Sequence, residues 1–419
     1  MDLSLILPIL VSLAGLYLLI RLRFFYILHP IKTAREFTLA LKSRDARRSL
    51  FLALAGTLGV GNIFGVSAGI MIGGAGSLFW LFISTFFAMI IKYAETLLVF
   101  EGGISEGGMA SLLKKVFCKS GRILSPLYAC LMLLLSLFMG SAMQSVAVID
   151  VAEQTLSASP FITAFILLVL LIPCFMGGAR KIENITEIVI PLTTIIYILM
   201  CLTVIFKNFT RIDEVVNEIF FSAFNFKSAL GGGISFLAVR EGFARGILSN
   251  EAGVGTSAMA HSRSQGRTPH VAGLFAMCEV VFDSSILCML TGIAILLSVP
   301  DISAYSTPMA LVSAAFYSSL GGLSGIILPL VILAFAYSTL ICWYFYGREC
   351  ASIYFPTVSG IYPALFIAFI LLSRAIRSDF LLYVIDILLL LMSIMTLSAI
   401  LKKSPRITEI SSLHLKNPE

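Results

Sequence analysis

Charge is scarce in this sequence. Only 12% of its 419 residues are Asp, Glu, Lys or Arg, while 58% are hydrophobic. A soluble domain carries about 25% charged residues, so half the usual ionic surface is missing and a water-exposed shell around so large a core is excluded. A disordered chain is excluded for the same reason. Paired cysteines are also missing. Cys118, Cys130, Cys174, Cys201, Cys278, Cys288, Cys342 and Cys350 are scattered, mostly inside apolar runs, with no C-x-x-C. They read as small buried hydrophobes rather than a disulfide scaffold. No Walker A loop, nucleotide-binding cassette or haem motif is present, so uphill movement of any solute must draw on an ion gradient. His261 and His270 flank a Ser/Arg-rich loop without a Cys or acid cluster at ligand spacing, which argues against a metal site. With no histidine expected inside a crossing and only scattered carboxylates there, an intramembrane enzyme has no catalytic constellation.

Long apolar runs fill the space. They fall at about 4–20, 50–72, 76–100, 124–150, 161–177, 184–206, 228–249, 270–298, 323–347, 357–373 and 380–401, each near the length of about 20 residues that spans a bilayer. Basic residues rather than an A-x-A site follow the first run, so it is expected to be a retained helix. The run Pro308 to Leu320 is too short to span and reads as a re-entrant or surface helix. The chain is therefore expected to be an all-α polytopic membrane protein of about eleven crossings, with no separate soluble domain.

Loop charge orients it. Arg21, Arg23, Lys32, Arg35, Lys42, Arg44, Arg47 and Arg48 crowd the first loop, which is expected to form an amphipathic cytoplasmic helix. Alternate loops follow suit with Lys114, Lys115, Lys119 and Arg122, then Arg180 and Lys181, Arg263 and Arg267, Arg348, and finally Lys402, Lys403 and Arg406. The 299–307 loop has no Lys or Arg, and the 207–227 loop offsets Lys207, Arg211 and Lys227 with Asp213, Glu214 and Glu218. Only the turn with Arg374 and Arg377 dissents. The positive-inside pattern places the N-terminus outside and the C-terminus in the cytoplasm of a bacterial-type plasma (inner) membrane.

The densest helix breakers lie in the second run: Ala55-Gly56-Thr57-Leu58-Gly59-Val60-Gly61-Asn62-Ile63-Phe64-Gly65. Gly61-x-x-x-Gly65 is formally a close-packing motif. Thr57 and Asn62 beside it favour an interrupted helix instead, because irregular backbone at membrane depth persists only where it is buried or lines a cavity. A break offers free carbonyls at one helix end and free N–H groups at the other, so one place can hold a cation and the carboxylate of an amino acid. In the ninth run, Tyr337-Ser338-Thr339 precedes Trp343 by one turn. Its hydroxyls either bond back to the preceding turn or complete an oxygen cage for Na+. Gln144, after Gly140 and Ser141, either bonds a neighbouring helix or binds a substrate's polar head.

Gly56-Thr57-Leu58-Gly59-Val60-Gly61-Asn62-Ile63 and Gly73-Gly74-Ala75-Gly76-Ser77-Leu78-Phe79-Trp80 resemble the alanine/glycine:cation symporter family, the sodium:alanine symporters. Lys92-Tyr93-Ala94-Glu95 is similar to the end of that family's next helix. Ala244-Arg245-Gly246-Ile247-Leu248-Ser249-Asn250-Glu251-Ala252-Gly253-Val254-Gly255 resembles its most distinctive stretch, and Ser338-Thr339 to Trp343 with Tyr346-Gly347 a third. The likeness runs from about residue 20 to 400. It implies a leucine-transporter-type fold: two inverted five-helix repeats, about 50–206 and 228–401, after a first membrane helix and basic loop (1–49) and before a cytoplasmic tail (402–419). No internal sequence similarity between the halves is apparent. By the same resemblance, the backbone at Ala55 and Leu58 with the Ser338 and Thr339 hydroxyls would form the fold's common Na+ site. Amides near Gly59, Gly61 and Asn62 would take the substrate carboxylate, and Gln144 and Trp343 would line the pocket with Thr57 close by. The implied activity is Na+-coupled symport of alanine or glycine. Val60, Phe64 and Ala75 depart from the family's usual Thr, small residue and Pro, which bears on substrate choice rather than fold.

Charges inside the runs complete the reading. Arg240, Glu241 and Arg245, with Asn250 and Glu251, are expected to form a cytoplasmic gate network. Glu279 and Asp283 lie one turn apart in the eighth run and need partners: another helix, a proton, or the substrate's amine. If one of them carries a proton, coupling to H+ rather than Na+ is the alternative, and a passive amino acid facilitator is a further one.

Overall fold

The computed structural model describes residues 5–224, 234–262 and 268–416, and among these there is helix and no strand. Helix α1 (Ile6–Arg21) leads through a one-turn α2 (Phe25–Leu28) to α3 (Pro30–Ala40), the amphipathic helix of the first loop. Its Phe37 packs on Phe275 while Arg35 stays exposed. The second apolar run is two helices, α4 (Arg44–Thr57) and α5 (Gly61–Gly73), and α6 (Gly76–Glu101) returns beside them. Next come α7 (Gly108–Leu135), kinked at Cys118 where φ is +48°, a π-helical stretch Ser136–Met143, and α8 (Gln144–Leu156). They are followed by α9 (Pro160–Lys207), α10 (Ile212–Phe224), α11 (Ile234–Asn250) and the short α12 (Thr256–His261). The chain continues through α13 (Pro269–Val280), a second π-helical stretch Val281–Cys288, α14 (Met289–Ser298), α15 (Pro308–Leu320), α16 (Ser324–Tyr354), α17 (Pro356–Leu372) and α18 (Ser378–Lys416).

Local chemistry sets many of these boundaries. Proline occupies the first turn of α3, α9, α13, α15 and α17, where its missing N–H costs nothing and its φ is already helical. The Thr268 and Thr307 hydroxyls accept from Val271 N and Ala310 N and so cap α13 and α15.

Two of the expected crossings, 161–177 and 184–206, share the 48-residue element α9. A straight helix of that length would run about 72 Å, more than twice a hydrocarbon core of about 30 Å. Its ends lie at one end of the bundle: Gln154, just before it, donates to Thr307 at 3.5 Å, and Lys207 donates to the Ser319 carbonyl at 2.8 Å, both partners belonging to or capping α15. Its middle lies at the other end, where Arg48 donates to Glu187 and Asn184 and Arg348 donates to the Phe175 carbonyl. The element therefore crosses and returns, its apolar legs being Pro160–Ile172 and Asn184–Lys207.

Eight described segments are long and apolar enough to cross a membrane, and Ile6–Arg21 and Pro160–Ile172 are shorter apolar helices. α11, with three charged residues, completes the eleven stretches expected. Burial orders them: 94% of the apolar window of Ala46–Gly73 is buried, against 33% for Asn184–Lys207 and 22% for Pro356–Ala375. The broken crossing is thus the axis of the bundle, and α17 and the second leg of α9 are its rim. Exposed Phe161, Ile162, Phe165 and Ile166 on α9 belong to that apolar rim.

Some expectations change. The tail after 401 continues as α18 and packs back, with Tyr17 and Ser404 3.1 Å apart and Arg21 donating to Thr408 at 3.1 Å. Cys118 and Cys130 are exposed rather than buried. The start of the second half at 228, the residues Lys227, Arg263 and Arg267, and the side chains of Cys174, Arg180 and Lys181 lie outside the described residues.

Candidate functional site

The break expected in the second crossing is present. α4 ends at Thr57, Leu58 leaves the helical region (φ −75°, ψ +72°), and α5 begins at Gly61. All of this is buried, with Thr57 4% and Asn62 2% exposed, so the interruption faces protein rather than lipid. α16 runs alongside. Thr339 Oγ1 donates to the Ala55 carbonyl at 3.0 Å, and a methyl added to Gly59 would meet that Oγ1 at 2.5 Å and Gln144 Oε1 at 3.2 Å. Val60 N donates to Gln144 Oε1 at 3.1 Å, and Gln144 Nε2 donates to the Met139 carbonyl at 3.2 Å. That carbonyl lies in the π-helical stretch, whose irregular turn feeds the site. Ala55, Gly59, Gln144 and Thr339, named from the sequence, thus meet at one point. Trp343 lies one turn further along α16, packed on Gly140, its indole N–H buried without a partner.

Two predicted groups point elsewhere. The Ser338 hydroxyl donates to the Ala334 and Phe335 carbonyls of its own helix, at 3.0 and 2.9 Å, and Thr57 donates to Ala53 at 3.4 Å. A hydroxyl whose proton is directed back into its helix keeps oxygen lone pairs for a cation, so Ser338 remains compatible with an oxygen cage. The neutral set of one carbonyl and two hydroxyls suits a hard monovalent ion. Leu58 supplies backbone at the break itself.

The sequence reading missed a second break. Between α11 and α12, Glu251, Gly253 and Gly255 have φ of +57°, +84° and +87°. α11 runs antiparallel to α5, with Arg245 over Gly69 and Leu248 over Gly65, so that Leu248 also reaches Gly61. The two interruptions therefore abut. Asp283 joins them: it accepts from the Asn62 amide on α5, from Ser249 Oγ on α11 at 2.8 Å and from Ser284 Oγ at 2.7 Å. It sits in the second π-helical stretch and is fully buried. Among the described residues Asp283 has only neutral hydrogen-bond donors, and the Oδ1 of Asn62 has no partner.

The expected cytoplasmic gate does not form as one unit. Arg245 bridges Glu241 at 3.2 Å and Asp386 on α18 at 2.8 Å, and Arg240 meets Glu241 at 2.8 Å. This network lies beside Gly69 and Gly73 on α5, at the end of the bundle away from the basic loops. Asn250 and Glu251 are separate from it, in the second break itself: Asn250 Oδ1 accepts from Ala252 N at 3.0 Å, and Glu251 accepts from Thr256 Oγ1 at 2.5 Å. The reason is the direction of α11, which enters from the Arg245 end and stops at Asn250. On the basic-loop side another network was not foreseen. Lys92 on α6 donates to Ser257 and pairs with Glu279 at 3.3 Å, and His261 meets Glu279 at 2.5 Å, all four side chains being buried. A lysine within an otherwise apolar helix was the available signal.

With this geometry established, known proteins supply a frame. The profile described as the sodium:alanine symporter family matches residues 2–416. The sodium/alanine symporter AgcS of Methanococcus maripaludis is 30% identical over 355 residues, covering 80% of this chain and 78% of its own. The probable sodium/glutamine symporter GlnT of Bacillus subtilis is 28% identical over 352 residues, covering 80% and 71%. Among solved structures, that of MhsT in complex with L-phenylalanine overlays with a TM-score of 0.55 at 14% identity, covering 86% of this chain and 98% of that one. The likeness is one of fold, the leucine-transporter type.

Proposed function

Because the chain belongs to the sodium:alanine symporter family, we propose that it moves a small neutral amino acid, alanine or glycine, into the cell together with Na+ by alternating access. It is a multi-pass membrane transporter and not an enzyme. The observation that carries the finer reading is the meeting of Ala55, Gly59, Gln144 and Thr339 at one break, with Asp283 tying that break to a second. At the first break the Ala55 carbonyl, which Thr339 Oγ1 reaches at 3.0 Å, would take the ion together with the Thr339 and Ser338 hydroxyls and the backbone at Leu58. The N-terminal turn of α5, at Gly61 and Asn62, presents N–H groups and a partial positive charge to the carboxylate. Gln144 Oε1 now accepts from Val60 N, where a carboxylate oxygen would accept. Asp283 supplies the negative charge that an ammonium group needs, and it has no cationic partner of its own among the described residues. Trp343 fills volume one turn away and limits side-chain size.

The lone buried carboxylate of Asp283 also favours a second reading, H+ coupling. Uptake of radiolabelled alanine and glycine into proteoliposomes separates the readings. Accumulation should follow an inward Na+ gradient at fixed pH and vanish when choline replaces Na+. Accumulation that persists in choline with a pH gradient supports H+, and equilibration without accumulation supports a facilitator.

A further inference from the structure

A site with one Na+ and one amino acid leaves two buried carboxylates unexplained, Glu95 and Glu251. Glu279 has Lys92 and His261, and Asp283 faces the substrate. Glu95, fully buried on α6 one turn from Lys92, has no ion pair among the described residues, because that lysine pairs with Glu279. It accepts one neutral donor, Gly253 N at 3.2 Å in the second break, and its Oε1 has no partner. An ionised carboxylate in this position is strongly disfavoured unless a cation lies beside it.

The surroundings are built from hard oxygens. Gly253 approaches α18 so closely that a methyl on it would lie 3.0 Å from Ser393 Oγ. Tyr128 donates to the Val254 carbonyl, and the Thr396 hydroxyl lies beside Tyr128. Ser393 and Thr396 are both 0% exposed; among the described residues the Ser393 hydroxyl lacks a partner, and the Thr396 hydroxyl has only the Tyr128 phenol beside it. Buried hydroxyls are normally satisfied, and apolar residues would fill the same space at lower cost. The orphan oxygens of Glu95 and Ser393, with the Thr396 hydroxyl close by, therefore gather from α6 and α18 at one stretch of irregular backbone. Glu95 brings the negative charge of the site, while Glu251 of the same break accepts from Thr256 Oγ1 and Lys92 is held by Glu279.

We propose that Glu95, Ser393 and Thr396, with the backbone at Gly253–Val254, form a second monovalent-cation site that takes a Na+ ion distinct from the one beside Thr339. The proposal deepens the symport reading, but its test does not require transport. Equilibrium binding of radioactive sodium to the purified full chain in detergent should count two ions. Glu95→Gln keeps an acceptor for Gly253 N while losing the charge, and should bind one. Thr339→Ala should weaken the other ion about tenfold and leave this one unchanged. Ser393→Ala and Thr396→Ala, which leave the carboxylate in place, should each weaken the second ion about tenfold, as for removal of one polar partner. A wild-type count of one that Thr339→Ala weakens and Glu95→Gln leaves unchanged would overturn this site while sparing the first. An unchanged count in Glu95→Gln and unchanged affinity in both hydroxyl variants would also overturn it, leaving a proton on Glu95. A wild type that binds no sodium would remove both sites together with the Na+ reading.

Discussion

At the scale of a residue, the Thr339 hydroxyl links α16 to the broken crossing at the break itself, through its bond to the Ala55 carbonyl. Thr339→Ala removes one of a small number of oxygens, a loss of about 1 kcal/mol or somewhat more. The Na+ concentration for half-maximal alanine uptake should rise roughly tenfold, and Thr339→Ser should restore most of it. Unchanged Na+ dependence would take Thr339 out of the cage. Asp283→Asn removes the charge assigned to the ammonium group and keeps the hydrogen-bonding shape. Equilibrium alanine binding should fall at least tenfold, by the scale of a hydrogen bond to a charged group. Unaltered binding would return Asp283 to a structural role. These two residues also show what a sequence conveys. Thr339 stands out as a hydroxyl in an apolar run, and only the family resemblance sets it beside Ala55, whose carbonyl its hydroxyl reaches. Asn62 was seen as a backbone amide for the carboxylate, yet its side chain turns to Asp283, 221 positions away. No local pattern encodes such a partner. Lys92 and Glu95 were visible only as part of a motif, because their meaning depends on what α11, α12 and α13 bring to them.

At the scale of an element, backbone irregularity carries the chemistry, and it is legible to very different degrees. Four glycines within ten residues announced the first break. The second has Gly253 and Gly255 flanking a valine, in a stretch whose Asn250 and Glu251 are expected in a gate, and two glycines alone do not announce a break. The π-helical stretches at Ser136–Met143 and Val281–Cys288 left no compositional mark, since one extra residue per turn demands no special side chain. Gly253 tests the second break. Its φ of +84° and its closeness to Ser393 mean that Gly253→Ala costs about 1–2 kcal/mol in backbone strain alone. The variant should melt several degrees lower and lose uptake. Gly322→Ala, which has nothing within 4 Å, should do neither. Equal behaviour of the two would mean that the left-handed turn is dispensable. Arg245 tests the latch between α11 and α18. Arg245→Gln abandons Glu241 and Asp386, so uptake should drop while equilibrium alanine binding stays near wild type. A large loss of affinity would place Arg245 in the binding site.

At the scale of the whole molecule, charge distribution and burial together define a direction. Arg48, Glu187, Arg348 and the α18 extension carrying Lys402, Lys403 and Arg406 gather at one end, while Arg245 with Glu241 and Asp386 lies toward the other. The positions of the crossings were legible because hydrophobic length is a local property. The pairing of two oppositely running broken helices was not, because the halves share no recognisable sequence. If the basic end faces the cytoplasm, the ion and amino acid leave between α4 and α12, past the Arg48–Glu187 pair, and the Arg245 latch faces the supply side. Fusions test this. A fluorescent protein that matures only in the cytoplasm should light up when attached after Glu419, and alkaline phosphatase should be active when placed in the 299–307 loop, which has no Lys or Arg. The reverse pattern would put Arg245 on the exit path. The same latch would then control release rather than capture, and Arg245→Gln would be expected to accelerate efflux of preloaded alanine instead of impairing its uptake.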